Sequence, residues 1–339
     1  MSEVNMSAVA ERANVSVATV SRAISGTAPV SKATKAKIHR VMKELGYVPK
    51  GKAASRNQSK VKTVALVLAL ATKSLESDFF FLRLIEGIHE ELESNEIRLL
   101  VSTLKNQAFP ADEISADGLI IGGPIQRDDF LTEAIRLGTP LVAFDRYQHA
   151  HVPSVLVDNV EAGRIVVKHL SSLGHARIGA VAGPKGIPPV DDKLEGYEME
   201  LRTLGLPFDE GLVVRSRQYH AWEAGYEAGT RLLSLENPPS AIFATDDLMA
   251  YGVMRAAREM NRRVPEELAL VGYGDVLFEQ MGVPLTSISV NFQYFGRLAA
   301  RLLLDVIHGF TQRDTRITIR PTLVTRETCG SNGDTRGLV

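Results

Sequence analysis

Apolar and polar positions follow three different rhythms along this 339-residue chain. Between residues 5 and 46 the apolar positions recur at helical spacing in three short runs. Met6, Val9, Ala10 and Ala13 form one stripe, with Asn5 placed as its N-cap. Asn14-Val15-Ser16 reads as a tight turn, Ser16 as the cap of a helix over 17–25, and Gly26 as its stop. Ser31 is placed to cap a third helix over 32–45, closed by Gly46. Val9, Ala13, Val15, Val20, Ile24, Ile38, Val41, Met42 and Leu45 are the predicted core of this unit. Two helices joined by a three-residue turn and braced by a third make a helix-turn-helix domain.

The stripe is lost over residues 49–62, where Lys50-Gly-Lys-Ala53-Ala-Ser-Arg56-Asn-Gln58 is polar and basic. Such a segment is a linker, or a helix that folds only against a partner. From Thr63 a third rhythm begins. Short β-rich runs at 64–70, 97–102, 117–121, 140–144, 155–157, 177–182, 241–244, 268–272 and 286–290 alternate with helical stretches near 80–94, 127–137, 160–173, 192–204, 221–235, 246–260 and 293–308. Strand–helix alternation predicts doubly wound parallel sheets, and about nine strands are too many for one ordinary sheet. The predicted fold class is therefore an all-α helix-turn-helix head on an α/β body of two lobes. The boundaries are 1–48 for the head, 49–62 for the hinge, and 63–330 for the body, with one lobe at about 63–159 and 291–320 and the other at about 160–290 and 321–330.

Charge sharpens this division. Residues 1–60 hold eleven Lys/Arg against three Glu, a net +8, whereas the remainder holds 28 basic against 37 acidic residues, a net −9. A basic head on an acidic body points to a polyanionic partner. Val17 and Ala18, small and apolar at the start of the second helix, suit thymine methyl groups, and Arg22 can fork onto guanine O6 and N7. Ser16, Thr19, Ser21 and Ser31 offer hydroxyls to phosphate oxygens. The competing reading is a generic three-helix bundle with a solvated arginine.

These residues carry a resemblance. Val15-Ser-Val-Ala-Thr-Val-Ser-Arg-Ala-Ile-Ser-Gly26, preceded by Val9-Ala10 and followed by Val30-Ser31 and Leu45-Gly-Tyr-Val-Pro49, resembles the DNA-binding head of the lactose/galactose-repressor family. The body continues it in order: Phe80-Phe81 and Gly87-Ile88, Ala116-Asp-Gly-Leu-Ile-Ile121, Phe144-Asp-Arg146, Val157-Asp-Asn159, Leu173-Gly-His175, Glu195-Gly-Tyr197, Ala224-Gly-Tyr226, Ile242-Phe-Ala-Thr-Asp-Asp-Leu-Met-Ala250 and Val264-Pro-Glu266. The resemblance implies a homodimeric repressor with a periplasmic-binding-protein-like body, two heads on a pseudo-palindromic operator, and a small-molecule effector between the lobes. It implies DNA contacts from Asn5 and from the hinge residues Ala53 and Arg56. A leucine that wedges the minor groove is usual where Arg56 stands, so either Arg56 reads a narrow groove by charge in place of the apolar wedge, or the hinge register is shifted. The stretch from Thr103 to Ser115 is short for the family's helix, and residues 331–339 carry no leucine heptad.

Ligands of open parallel sheets bind at the carboxyl ends of strands. The effector candidates there are Asp78, Phe80, Phe81, Asp145, Arg146, Asp246 and Asp275, joined by Lys193 and Trp222 from expected helix starts. Carboxylates, cations and an aromatic face suit a polyhydroxylated ligand. Lys193 stands where the family commonly has arginine and Asp246 where it commonly has asparagine. Helix N-capping is the structural alternative for Asp246 and Asp247, and core packing for Trp222.

Other classes fare worse. Val181-Ala-Gly-Pro-Lys-Gly186 and Gly272-Tyr-Gly274 complete neither a dinucleotide fingerprint nor a P-loop, and neither a nucleophile elbow nor a metal-spaced His pair occurs. No enzymatic role, cofactor or metal is expected. One cysteine, Cys329, precludes an intrachain disulfide, and the longest apolar run, Val64–Ala71, is too short to span a bilayer, so a cytoplasmic protein is expected. A nucleoside- or purine-responsive regulator of the same architecture, a solute-binding protein and a sugar-processing enzyme are the alternatives.

Overall fold

The computed structural model describes residues 6–17, 19–20, 31, 34, 37–38, 41, 61–68, 79–103, 114–123, 129–145, 151–218, 220–276, 283–312 and 314–330. It divides into two compact units, Met1–Lys60 and Val61–Val339. In the first, helix α1 (Met6–Ala13) buries Val9, Ala10 and Ala13 against Val20, Ile38 and Val41, with Met6 and Val15 partly covering them. The chain reverses at Asn14, whose φ of 51° is tolerated by asparagine, and the amide of Val15 donates back to the Ala10 carbonyl at 3.0 Å. Ser16 then caps the next helical stretch: its Oγ accepts from the Thr19 amide at 3.1 Å. Ser31 does the same for Thr34 at 3.1 Å. The predicted core residues Ile24, Met42 and Leu45 lie outside the described residues.

The second unit is built on two six-stranded sheets. The first has the order β11 (Arg316–Ile319), β5 (Ser154–Val157), β4 (Leu141–Phe144), β3 (Gly118–Gly122), β1 (Thr63–Leu68), β2 (Arg98–Thr103), every neighbour parallel. The second has the order β12 (Thr322–Val324), β10 (Thr286–Ser289), β9 (Ala269–Gly274), β8 (Ala241–Ala244), β6 (Ile178–Ala182), β7 (Val213–Arg215), parallel except for the β10–β12 pair. Among the described residues twelve strands stand where the sequence pattern suggests nine. The three additional ones, β7, β11 and β12, are edge or near-edge strands of three or four residues with partly exposed positions, so no continuous apolar run marks them.

Successive residues of a strand face opposite sides of the sheet. Val64, Leu66 and Leu68 therefore meet α2 (Phe79–Glu93) and α8 (Phe292–His308), whereas Ala65 and Val67 meet α3 (Asp129–Arg136). In the second sheet Ala180, Ala182, Phe243 and Val271 face α4 (Asn159–Ser172) and α5 (Pro188–Thr203), and Val181, Ile242, Ala244 and Leu270 face α6 (Trp222–Leu233) and α7 (Asp247–Glu259). The chain passes between the sheets three times, from β5 to α4, from β10 to α8 and from β11 to β12.

Each of three helix pairs is closed by reciprocal glycines. A Cβ at Gly163 of α4 would overlap the Lys193 carbonyl of α5, and one at Gly196 would overlap the Val160 carbonyl. Gly225 and Gly252 stand in the same relation to Met249 and Trp222, and Gly87 and Gly296 to Gln293 and Leu84. Backbone-to-backbone approach of this kind fixes the axial register of each pair.

Candidate functional site

Of the candidate effector residues, Asp145, Asp246 and Asp275 lie at the carboxyl ends of strands. Asp145 follows β4 in the left-handed region, with φ of 52°. Thr245 and Asp246 follow β8, and Asp275 follows β9 with φ of 57°. Asp246 caps α7, accepting from the Met249 amide at 3.2 Å through Oδ1, and its other oxygen pairs with His220 Nδ1. N-cap and charged partner are thus one side chain. Burial pushes its carboxyl up, but His220, the Met249 amide and Lys193 outweigh that and hold it below the ordinary carboxylate range.

Lys193 is 1% exposed. Its Nζ donates to the Thr245 carbonyl at 3.2 Å and lies 3.4 Å from the centre of the Tyr273 ring, a cation–π contact in a dry setting. Burial pulls its ammonium down to about 8 against the opposing fields of Asp246, Asp145, Asp192 and Asp247. Burial likewise pushes Asp145 up to about 6, with Lys193 opposing and Asp192 adding to the rise. Asp145 hangs from the first sheet and Lys193 from a helix on the second, so the two groups feel each other across the lobes. Lys193 is not at a helix start as the sequence suggested. Pro188 and Pro189 occupy the first two helical positions, where missing N–H groups cost nothing, so α5 begins four residues before the expected 192.

Other expected members are placed differently. Phe81 is 1% exposed and belongs to the first lobe's core, edge-on to Phe80 and Phe144. Phe80 is half-buried and stacks edge-on with Phe292 at 4.4 Å. Trp222 opens α6 and is 38% exposed, its ring covered by the Arg255 guanidinium at 4.8 Å. It is not part of the core. The ring that pairs with Asp246 is His220, two residues earlier in a loop, which no helical or strand pattern singles out. Asp275 pairs with Arg326 at 2.6 Å. Tyr273 and Asn159 were also missed: the Tyr273 hydroxyl donates to Asn159 Oδ1 at 2.7 Å, joining the second sheet to the β5–α4 passage. Asp78 and Arg146 lie outside the described residues.

In the head, Val17 is 45% exposed, an apolar side chain left at the surface at the start of its helix. Ser16 and Ser31 are exposed, with their hydroxyls engaged in capping and in contacts to Thr19 and Thr34 at 2.8 Å. Thr19 is half-buried. Asn5, Ala18, Ser21, Arg22, Ala53 and Arg56 lie outside the described residues.

Known proteins place this architecture. Residues 5–50 match the model of bacterial regulatory proteins of the lacI family, and residues 167–329 match a periplasmic binding protein-like domain. The HTH-type transcriptional regulator CelR of Thermobifida fusca is 33% identical over 331 residues, covering 94% of this chain and 96% of that protein. The chain belongs to the LacI family. It is a DNA-binding transcriptional regulator. The HTH-type transcriptional repressor CytR of Escherichia coli (strain K12) is 31% identical over 315 residues, 90% of each chain. A solved CelR–cellobiose complex superposes with a TM-score of 0.72 at 31% identity, covering 96% of this chain and all of that one. The lac repressor dimer bound to operator and an anti-inducer, at 24% identity and a TM-score of 0.69, shares the fold. LacI-family membership accounts for the basic head, the two-lobed body and their order. Among the described residues no group of three or more His, Cys, Asp or Glu side chains forms a metal site, and no helix is long and apolar enough to cross a membrane.

Proposed function

We propose that this LacI-family regulator is a repressor that binds a pseudo-palindromic operator as a homodimer in the cytoplasm and leaves it when an uncharged sugar or sugar derivative binds between the lobes. The observation that supports it best is the set of buried and half-buried donors and acceptors at the strand ends, with Lys193, Asp246 and His220 from one lobe and Asp145 from the other. Ionised groups of both signs in a dry site suit hydroxyls, which accept from an ammonium and donate to a carboxylate. The described groups supply no excess of positive charge, which disfavours a phosphorylated ligand. Cellobiose in the CelR complex is a ligand of this type. Asp145, Lys193, Asp246, Asp275 and His220 are assigned to the effector, and Val17, Ala18 and Arg22 to base edges, with Ser16, Thr19, Ser21 and Ser31 towards the backbone. A ligand that favours one lobe arrangement shifts the population of the DNA-competent state, and the coupling is reciprocal.

The test is a thermal-shift panel of neutral sugars, sugar phosphates and nucleosides, repeated with a duplex that the protein itself selects from random sequence. A neutral sugar is expected to raise Tm and to weaken duplex binding. Stabilisation by nucleosides alone would move the assignment to a nucleoside-responsive regulator. Turnover of the sugar would overturn the non-enzymatic reading.

A further inference from the structure

The loop that carries Asp275 is held from two sides by groups that the effector reading does not use. Arg326 approaches from the C-terminal segment, after β12. Its NH2 pairs with Asp275 Oδ1 at 2.6 Å, its NH1 donates to the Leu285 carbonyl at 2.6 Å, and its own amide donates to Thr286 Oγ1 at 2.8 Å. Both side chains of the Arg326–Asp275 pair are only 15% exposed. From the other side, Asp247 accepts from the Val276 amide at 3.2 Å and from Ser287 Oγ at 2.6 Å, and Ser287 Oγ accepts from the Asp275 amide at 3.3 Å. The segment bearing Arg326 is anchored in turn. Thr328 Oγ1 donates to the Leu270 carbonyl at 2.8 Å and accepts from the Thr286 amide at 2.9 Å.

Asp275 sits in a left-handed backbone conformation, which aspartate tolerates better than most residues, and these hydrogen bonds hold it there. A guanidinium that donates to a backbone carbonyl and faces a carboxylate fixes that carboxylate's direction, because its donors are set in a planar fork. We propose that Arg326 is a positioning residue for effector recognition. It aims the Asp275 carboxylate and sets the direction of its second oxygen, without itself touching the effector. This rests on the assignment of Asp275 to the effector site. It also gives the last residues before position 330 a part in ligand affinity, although they lie far from Asp275 in sequence.

The experiment compares full-length wild type with Arg326→Gln, Arg326→Lys, Asp275→Asn and the Arg326→Gln/Asp275→Asn double variant. Hydrogen exchange of the segment 270–276 is measured without ligand, and affinities for cellobiose and D-ribose are measured by calorimetry. In Arg326→Gln the amides of 275 and 276 are expected to exchange at least about tenfold faster, while strand 63–68 of the other sheet keeps its protection. Sugar affinity is expected to fall about tenfold or more, with Arg326→Lys between it and wild type. In the double variant the loss is expected not to exceed that of Asp275→Asn by more than about twofold. Independent, multiplying losses would overturn the proposal, as would unchanged exchange at 275–276. If wild type binds neither sugar, the effector assignment to these sugars fails and the exchange measurement alone decides whether Arg326 fixes the loop.

Discussion

Asp247 shows what one buried carboxylate does to a protein of this type. It sits in α7 beside Asp246, receives hydrogen bonds from Ser287 and Val276, and is pushed up to about 7, chiefly by burial. Its folded-state pKa is raised, so between pH 4 and pH 7 the native state binds more protons than the unfolded chain, and stability falls as pH rises through that window. Asp145, raised to about 6, acts in the same sense over the lower part of it. Asp247→Asn cannot titrate and keeps one acceptor oxygen for two donors, Ser287 Oγ and the Val276 amide. Its stability deficit relative to wild type is expected to be largest near pH 4 and to narrow towards pH 7. Chemical denaturation at several pH values checks this, and a deficit that widens with pH would contradict the burial argument. At the same scale, Arg22→Ala is expected to weaken binding to the selected duplex by about 1–3 kcal/mol and to relax preference at one base pair per half-site. Equal losses on selected and random DNA would reassign Arg22 to the phosphates. Residue chemistry was only partly legible in the sequence. The acidic residues after β4, β8 and β9 stood out because a strand end followed by Asp is a local signal. His220 did not, because its approach to Asp246 is made by a loop with φ of 50° and depends on tertiary structure. Trp222 opens its helix partly exposed beneath Arg255, so the core-packing alternative does not hold; residue type and helix start do not say which way a ring turns.

At the scale of elements, helix pairing places the site. Lys193 reaches Thr245 and Tyr273 only because α5 lies directly on α4, and the Gly163–Lys193 and Gly196–Val160 approaches set that distance. Gly163→Ala puts a methyl group into the Lys193 carbonyl, a backbone atom that cannot rotate away. The expected cost is about 1–3 kcal/mol from overpacking, offset by the higher helix propensity of alanine, together with weaker sugar binding as Lys193 is displaced. Gly138→Ala serves as the control for loss of glycine without a packing clash: nothing lies within 4 Å of a Cβ there, and its φ of 69° confines the effect to backbone strain. A Gly163→Ala protein with wild-type sugar affinity would detach helix packing from effector binding. Elements with strong periodicity were legible at this scale. The caps at Ser16 and Ser31, the apolar strands β1, β3 and β6 and the long helices other than α5 lie where their patterns put them. The start of α5 was not, because Pro189 reads as a breaker by itself and as a favourable first-turn residue only once the helix exists.

Over the whole molecule the deciding quantity is the separation of charge. The first 60 residues carry a net +8 and the rest a net −9, so a near-neutral total conceals a cationic unit joined to an anionic one. A neutral protein has no reason to bind DNA with a strong salt response, whereas a basic head that replaces phosphate counterions does. For B-DNA the logarithm of the binding constant falls with the logarithm of salt concentration at a slope of about −0.9 per phosphate neutralised, so six to ten contacts by a dimer weaken binding by about 10³–10⁵ between 50 and 200 mM salt. The acidic body adds repulsion that salt screens, which makes the measured slope slightly shallower than the head alone would give. Titrations on the selected duplex and on random DNA are expected to show similar steep slopes, offset by a specific term that does not depend on salt, because base-edge contacts release few ions. A slope shallower than about −2 would mean that the head meets very few phosphates. The charge separation would then serve solubility, and specific binding would have to rest on Val17, Ala18 and Arg22 almost alone.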